Sequence, residues 1–225
     1  MALLSDHSWK SKYTPDDGDL VEQFYLHALE SAVRYDRSTG YFTAPALTLA
    51  ARGIEALVRN QGRMRMLVGC TLNEDEAQAI IRGENLRETA AASLLKMPLV
   101  PPDAQAHAAL ELLSWMVAKG FLEVKVAIPC DKNRHPVPGV GLFHEKAGVI
   151  EDKTGDRLAF SGSVNETAHG WKHNWESFHV FCSWKGGVEH IEAEERSFAT
   201  LWSDQSPRAM VFDVPEAVKK ALLRF

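Results

Sequence analysis

The stretch FHEKAGVIEDKTGDRLAFSGSVNET, residues 143–167, decides the fold of this half of the chain. Its apolar runs predict two strands, at 142–151 and 157–163, joined by a hairpin-like turn in DKTGD. A pair of neighbouring strands needs none of the polar residues that this stretch carries at its two ends. Those residues therefore call for a separate explanation.

Four of these polar residues are spaced two apart in pairs. His144 and Lys146 belong to the first predicted strand, and Ser163 and Asn165 lie at the end of the second. Because residues two apart on a strand face the same side, each pair is expected to point together. Neighbouring strands would bring all four side chains to one edge of the sheet, where Glu176, which opens a later predicted strand, can join them.

Such a group suits chemistry on a phosphodiester. A neutral imidazole such as that of His144 can attack phosphorus and form a covalent intermediate. The ammonium of Lys146, the hydroxyl of Ser163 and the amide of Asn165 can hold the non-bridging oxygens and stabilise their growing charge. A carboxylate such as Glu176 can bind the other ring nitrogen of the histidine and fix its tautomer.

Around this stretch, helices and strands alternate in the first half of the chain and strands cluster in the second. The predicted helices are 19–34, 44–62, 73–83, 86–97, 104–120, 188–204 and 215–225, and the other predicted strands are 38–43, 64–70, 121–129, 176–184 and 209–214. This order predicts a mixed α/β fold with a sheet core and helices on both faces. No repeat or long linker occurs, so residues 1–225 are expected to form one domain, either complete or part of a larger protein.

The composition limits the classes of function. The 225 residues are 45% hydrophobic and 24% charged, as in an ordinary globular protein, and no apolar run is long enough to predict a membrane helix. The start, MALLSDHSWK, lacks the order of a secretory signal, and three scattered cysteines fit reduced thiols in a cytoplasmic protein. A formal net charge of −5 disfavours strong autonomous binding to DNA, so a phosphate-bearing ligand would be held by a local positive cluster or delivered by a partner.

The pair His144-x-Lys146 followed by Gly162-Ser163-x-Asn165 resembles the HxK…GSxN signature of the phospholipase D superfamily, and Glu176 matches a later glutamate of its nuclease branch. STGYF and LVGC upstream are similar to the phospholipase D-like domains attached to bacterial helicases and restriction enzymes. The resemblance covers about residues 19–204. It implies a phospholipase D-like fold and a DNA endonuclease that acts through a phosphohistidine, in restriction or phage defence with a helicase or recognition partner.

The resemblance also has consequences for assembly. The family mechanism needs two histidines, yet none of the other eight histidines is followed two residues later by lysine. A lone motif implies a homodimer with its active site at the interface, and catalysis without a metal or other cofactor. One departure is that Glu151, with Asp152 beside it, stands where the family usually has aspartate.

Two other functions remain open from the sequence: a phosphodiesterase acting on phospholipid or another small diester, and a non-catalytic DNA-binding module of the same fold. The loop AHGWKHNWES, residues 168–177, is either a base-stacking and phosphate-holding loop or a surface loop with one tryptophan in the core. The nearby histidines and Cys182 do not have the spacing of a standard zinc site.

Overall fold

The computed structural model describes residues 2–69, 73–89, 106–137 and 141–220, without the side chains of 86–89, 106–108 and 218–219. One sheet of eight strands forms its centre, in the order β1-β7-β6-β5-β2-β3-β4-β8. The strands are β1 (Lys12–Tyr13), β2 (Ala32–Thr39), β3 (Arg63–Val68), β4 (Leu122–Pro129), β5 (Ala147–Asp152), β6 (Arg157–Gly162), β7 (Phe178–Cys182) and β8 (Ala209–Asp213).

Helices cover both faces of this sheet. They are α1 (Leu26–Ser31), which continues a π-helical turn at Val21–Tyr25, α2 (Pro45–Leu49), α3 (Ala51–Arg59), α4 (Glu74–Thr89), α5 (Ala106–Ala118), α6 (Ala168–Lys172), α7 (Val188–Trp202) and α8 (Val214–Lys219). Among the described elements, α7 packs on one face, against β2 and β5 to β8, and α1, α3, α5 and α8 pack on the other. The predicted fold class is thereby confirmed.

Strand β2 joins two differently built halves of the sheet. It pairs in parallel with β3, and β3 with β4, so this half needs helical crossovers. On its other side β2 pairs antiparallel with β5, which continues through β6 to β7 as a meander. The register sets Arg37 opposite Gly148, so the two residues share a face.

A cluster of aromatic rings fills the face that carries Arg37. Phe24, Phe160 and Phe178 meet edge to face at centroid distances of 4.7–5.6 Å, a preferred aromatic geometry. Trp171 of α6 stacks on Tyr25 at 4.3 Å and is buried with it. This packing fixes α6, and with it the chain between β6 and β7, against the sheet.

The largest difference from the sequence-based prediction concerns β2. A helix was expected over 19–34 and a short strand over 38–43, but the helix ends at Ser31 and the strand runs from Ala32 to Thr39. The sequence of this strand resembles a solvent-exposed segment because it contains Arg34, Asp36 and Arg37. Asp36 and Arg37 are nevertheless buried. Their burial is compensated by partners distant in the sequence, which a local pattern does not show.

Other boundaries differ less. The predicted helix 44–62 is broken at Ala50 into α2 and α3, and the predicted helices 73–83 and 86–97 are one helix, α4, as far as Thr89. Residues 90–97, 104–105 and 221–225 of the predicted helices, and residue 70 of a predicted strand, lie outside the described residues. The other predicted helices and strands are confirmed, with described ends shifted by up to five residues. None of the helices in the described part of the chain combines the length and the apolar character that crossing a bilayer requires.

Candidate active site

His144 and Lys146 lie in an irregular segment that leads into β5, not on the strand itself. The prediction that they form part of a strand is therefore wrong, because β5 begins at Ala147. Pairing still extends one residue beyond it, since Gly162 N donates to the carbonyl of Lys146 at 3.1 Å. His144 is exposed, whereas Lys146 is only 7% exposed and its Nζ donates to the His144 carbonyl at 2.8 Å.

Ser163 follows β6 and is tied to the segment that enters β7. Its backbone N donates to the Ser177 carbonyl at 2.9 Å, and Ser177 N donates to its hydroxyl at 3.0 Å. Gly162 makes this approach possible, because a Cβ there would stand 2.1 Å from the Ser177 carbonyl oxygen. The glycine of the Gly-Ser-x-Asn motif thus serves close packing of two chain segments.

Asn165 is connected to His144 through Tyr41. The side-chain oxygen of Asn165 accepts a hydrogen bond from Tyr41 N at 3.1 Å. The Tyr41 ring stands edge-on to the His144 imidazole, with ring centroids 6.1 Å apart and an interplanar angle of 89°. Gly40 packs behind the histidine, where an added Cβ would lie 3.1 Å from His144 Cδ2. Tyr41 and Gly40 therefore place Asn165 and His144 around one point.

Glu176 lies two residues before β7, so the prediction that it opens the strand is off by two positions. It is 8% exposed, and its Oε1 accepts a hydrogen bond from Asn174 Nδ2 at 3.0 Å. Among the described residues, this carboxylate bonds to Asn174 rather than to the imidazole of His144. Its charge is nevertheless close enough to act on Lys146.

The pKa of Lys146 reports these surroundings. Burial lowers the pKa of the ammonium, the Arg37 guanidinium lowers it further, and the Glu176 carboxylate raises it. Glu176 thus favours the charged form of a lysine that burial alone would tend to neutralise. A cation held in this way beside an exposed imidazole suits an anionic ligand.

A buried ion pair supports the segment that contains Asn165. Arg37 Nε donates to Glu166 Oε2 at 2.9 Å, both side chains are fully buried, and Arg37 Nη2 donates to the Val164 carbonyl at 2.5 Å. Glu166 N in turn donates to the hydroxyl of Thr39 at 2.9 Å. The residues on both sides of Asn165 are therefore fixed to β2, which restricts where its side chain can lie.

Two tyrosines complete this cluster. The hydroxyls of Tyr25 and Tyr35 both donate to the Glu166 carboxylate, that of Tyr35 at 3.3 Å. Burial raises the pKa of both phenols well above the ordinary value, and the charge of Glu166 raises it further. Both hydroxyls therefore stay protonated and act as donors, which is what a buried carboxylate requires.

Glu151 and Asp152, at the end of β5, bind residues away from this site. Glu151 pairs with Arg34 at 3.0 Å, on the face of the sheet opposite Lys146. Asp152 accepts hydrogen bonds from Leu4 N at 2.8 Å and Thr154 N at 2.9 Å, so it orders the turn after β5. Both carboxylates have local structural partners, and neither contacts the candidate site.

Three residues of this site were not found from the sequence: Tyr41, Arg37 and Glu166. Glu166 follows Asn165 directly, and a glutamate between a polar motif and a short helix has the appearance of an ordinary exposed residue. Arg37 could have been recognised as a charged residue within a segment that forms a central strand. Such a residue is a signal only once β2 is known to be central.

No family model and no curated protein matches the sequence. Its fold is similar to that of several solved structures. NucT from Helicobacter pylori is 13% identical, with a TM-score of 0.51 over 86% of this chain and 94% of that chain. The likeness to NucT establishes a common fold.

Two further solved structures align with lower scores. Nuc from Salmonella typhimurium, a phospholipase D family member, is 16% identical, with a TM-score of 0.42 over 81% of this chain and 86% of that chain. Phosphatidylserine synthase from Haemophilus influenzae is 14% identical, with a TM-score of 0.49 over 91% of this chain and 40% of that chain.

Proposed function

We propose that this protein is a metal-independent phosphodiesterase, a DNA endonuclease that acts through a phosphohistidine intermediate in a homodimeric active site. The observation that supports this most directly is the set of contacts joining the two halves of the motif. Gly162 N bonds to the carbonyl of Lys146, and Tyr41 links Asn165 to His144. The segments that carry the exposed imidazole, the buried lysine and the fixed amide all lie at the same end of β5 and β6, which supports the proposal.

In the proposed reaction, a ring nitrogen of His144 attacks phosphorus and forms an N–P bond while the P–O bond to the leaving strand breaks. His144 of the second subunit protonates the departing oxygen. Water then attacks phosphorus, gives its proton to that second imidazole and releases the first, which restores the enzyme. Lys146, Ser163 and Asn165 bind the non-bridging oxygens throughout.

Glu176 has a proposed role in this scheme. Its carboxylate favours the charged form of Lys146, which is the form that binds a phosphate oxygen. The further proposal that Glu176 orients an imidazole requires it to reach a histidine beyond its present partner, Asn174. Replacement by glutamine would separate the two roles, because the amide keeps a hydrogen-bond acceptor but removes the charge.

The net negative charge of the protein bears on how it would meet DNA. With a formal net charge of −5, the protein gains little from non-specific attraction to the DNA backbone. We therefore place it with a helicase or recognition partner that presents the DNA, as in restriction or phage defence. A membrane plays no part in this proposal.

The first test is cleavage in excess EDTA. The wild-type chain is incubated with labelled single- and double-stranded DNA beside His144→Ala, with His190→Ala as the matched control, because His190 is an exposed histidine on α7. We expect cutting that survives EDTA, persists in the control and falls about 10³-fold or more in His144→Ala.

Cutting that EDTA abolishes, or that His144→Ala retains, contradicts the proposal. DNA binding without cutting favours the binding module, and cutting of a small diester alone favours the other alternative.

The second test addresses the shared site. Wild-type and His144→Ala chains are mixed in varying ratios, unfolded together and refolded, so that subunits redistribute. If each reaction needs His144 of both subunits, activity follows the square of the wild-type fraction. A linear dependence, together with a monomer mass in light scattering, would rule out the homodimeric site.

A further inference from the structure

Large exposed hydrophobic side chains gather around the candidate site. Within the described residues, four such side chains are exposed by more than a third, and three of them border the motif. Leu142 lies two residues before His144, Trp175 is next to Glu176, and Tyr41 faces the His144 ring. The fourth, Val188, begins α7. Exposed apolar surface that is bordered by polar residues is typical of a ligand-binding site.

The backbone of Tyr41 is hydrogen-bonded on both sides, and its ring stands beside His144. Its backbone N donates to Asn165 Oδ1 at 3.1 Å, and its carbonyl accepts from the Thr39 hydroxyl at 2.7 Å. The residue is 40% exposed, and its ring stands edge-on to His144. A phosphodiester bound at the imidazole would therefore bring an adjoining group of the substrate against this ring.

Trp175 is displayed by the same segment that buries Trp171. Trp171 is 1% exposed and stacks on Tyr25, whereas Trp175 is 65% exposed. The residues on both sides of Trp175 are joined by the hydrogen bond from Asn174 to Glu176. The segment 168–177 thus has one tryptophan, on α6, as an anchor in the core and presents a second one, after the helix, next to Glu176.

From these positions we infer that Tyr41 and Trp175 are stacking platforms for nucleobases, and that the site selects diesters flanked by unpaired bases, as in single-stranded DNA. The inference rests on the proposed function and specifies its substrate. An unpaired base offers its ring faces to an aromatic side chain, whereas a base within a duplex is already stacked on its neighbours. Stacking also supplies affinity that does not depend on positive charge, which an acidic protein needs.

The rival occupant of these rings is a second copy of the chain at the dimer interface. The position of Tyr41 favours the base. Its ring borders the imidazole itself, so a protein segment packed on it would obstruct the approach of a diester to His144. The rival predicts that removing the rings weakens the dimer, and this can be measured separately.

The test compares strands with and without bases. Cleavage of a single-stranded thymidine oligonucleotide is measured beside an abasic oligonucleotide of the same length and a duplex of the same sequence. Stacking is worth about 5- to 150-fold per base, so we expect the wild type to prefer the single strand over the abasic strand by at least about 5-fold. Trp175→Ala should lose about that factor in kcat/KM on the single strand and little on the abasic strand. Tyr41→Ala should lose activity on both strands, because its ring also borders His144, and the loss should be larger on the single strand by about the same factor. Tyr41→Phe and Trp175→Phe should retain most of the single-strand preference, and Val188→Ala is the matched control.

A binding measurement gives an independent readout. In a His144→Ala background, the thymidine oligonucleotide should quench tryptophan fluorescence, and Trp175→Phe should remove most of the quenching. Equal cleavage of base-bearing and abasic strands overturns the inference and leaves the proposed nuclease intact. Loss of the dimer mass in the alanine variants, with strand preference unchanged, overturns it in favour of the second copy. Failure of the wild type to cut or bind any strand overturns both proposals together.

Discussion

Two adjacent residues of β2, Asp36 and Arg37, build charged clusters of different kinds on opposite faces of the sheet. Arg37 meets Glu166 where neither side chain has any exposure, and its Nη2 binds a carbonyl beside the candidate site. Asp36 accepts two hydrogen bonds from Arg65, both at 2.7 Å, from a guanidinium that is 35% exposed. The Arg37–Glu166 and Arg65–Asp36 pairs thus have similar hydrogen-bond lengths, but only the second is accessible to water.

The two clusters also differ in how many cations lie near the carboxylate. Asp36 has a second cation within reach, because Arg34 Nε lies 3.6 Å from its Oδ2 and forms no hydrogen bond of its own within the described structure. Arg65 lies over the rings of Phe198 and Trp202 of α7, at about 5 Å. Its cluster therefore ties a helix to the sheet, with alternatives available if one member is lost.

The burial of each ion pair, more than the length of its hydrogen bonds, determines how much its loss costs the folded protein. The Arg37 cluster is dry, connects β2 to the residues around Asn165 and has no solvent to replace a missing member. Removing one ion of such a pair leaves the other uncompensated, which is far costlier than losing a solvated contact. The predictions below test this difference.

Arg37→Met is expected to have the largest effect. It leaves the Glu166 carboxylate buried without its cation, at a cost of about 3–5 kcal/mol in the free energy of unfolding. Urea titration followed by circular dichroism measures this cost. The control is Arg37→Met combined with Glu166→Gln, which removes both charges, keeps an acceptor for Tyr25 and Tyr35, and should be more stable than the single variant. A double variant less stable than the single one would show that the ion pair is not the reason.

Arg65→Ala should cost less, about 2 kcal/mol, because it removes charged hydrogen bonds from a carboxylate that Arg34 can still approach. The same titration measures it. If Arg34 takes over, Arg65→Ala combined with Arg34→Ala should lose more than the sum of the single changes. A cost for Arg65→Ala equal to that of Arg37→Met would remove the distinction between the two clusters.

Glu194, on the same face as Asp36, gives a smaller effect that depends on pH. Burial raises the pKa of this carboxyl, the charge of Glu145 raises it further, and contacts with Ser161 and His190 offset part of the rise. The folded chain therefore holds the proton more tightly than the unfolded chain, and stability falls as pH rises from the unfolded pKa through the folded one. Glu194→Gln should raise Tm slightly at pH 8 and should lose that gain near pH 4, in scanning calorimetry at both values. A gain of equal size at both values would mean that ionisation is not its cause.

The smallest effect is expected at the surface. Arg59 and Glu55 of α3 form a pair whose side chains are 72% and 46% exposed. Arg59→Ala should change stability by no more than about 0.5 kcal/mol, apart from a small contribution of helix propensity. This variant sets the baseline against which the other three are compared. A loss above about 1 kcal/mol would mean that exposure is a poor guide to these clusters.

Local spacing was sufficient to predict the sheet with helices on both faces. It also selected His144, Lys146, Ser163 and Asn165, whose role in catalysis stays a prediction. It was insufficient for β2, because the three charges of AVRYDR suit a surface segment unless Glu166 is present 129 positions later. It also placed Lys146 on a strand that begins one residue further on. Tyr41 could not be assigned because its contacts to His144 and Asn165 each cross more than 100 positions.

The same separation constrains how the protein can be made. During synthesis, β2, β3 and β4 are all complete before residue 166 has been translated, since β4 ends at Pro129. Until then Arg37 has neither Glu166 nor Val164 to accept its hydrogen bonds. Strands β2, β3 and β4 therefore cannot pack stably around Arg37 until the β5–β6 hairpin and the residues after it have been made. A ribosome-bound nascent chain arrested before this point should remain open to proteases, and it should become resistant only when the later strands have emerged.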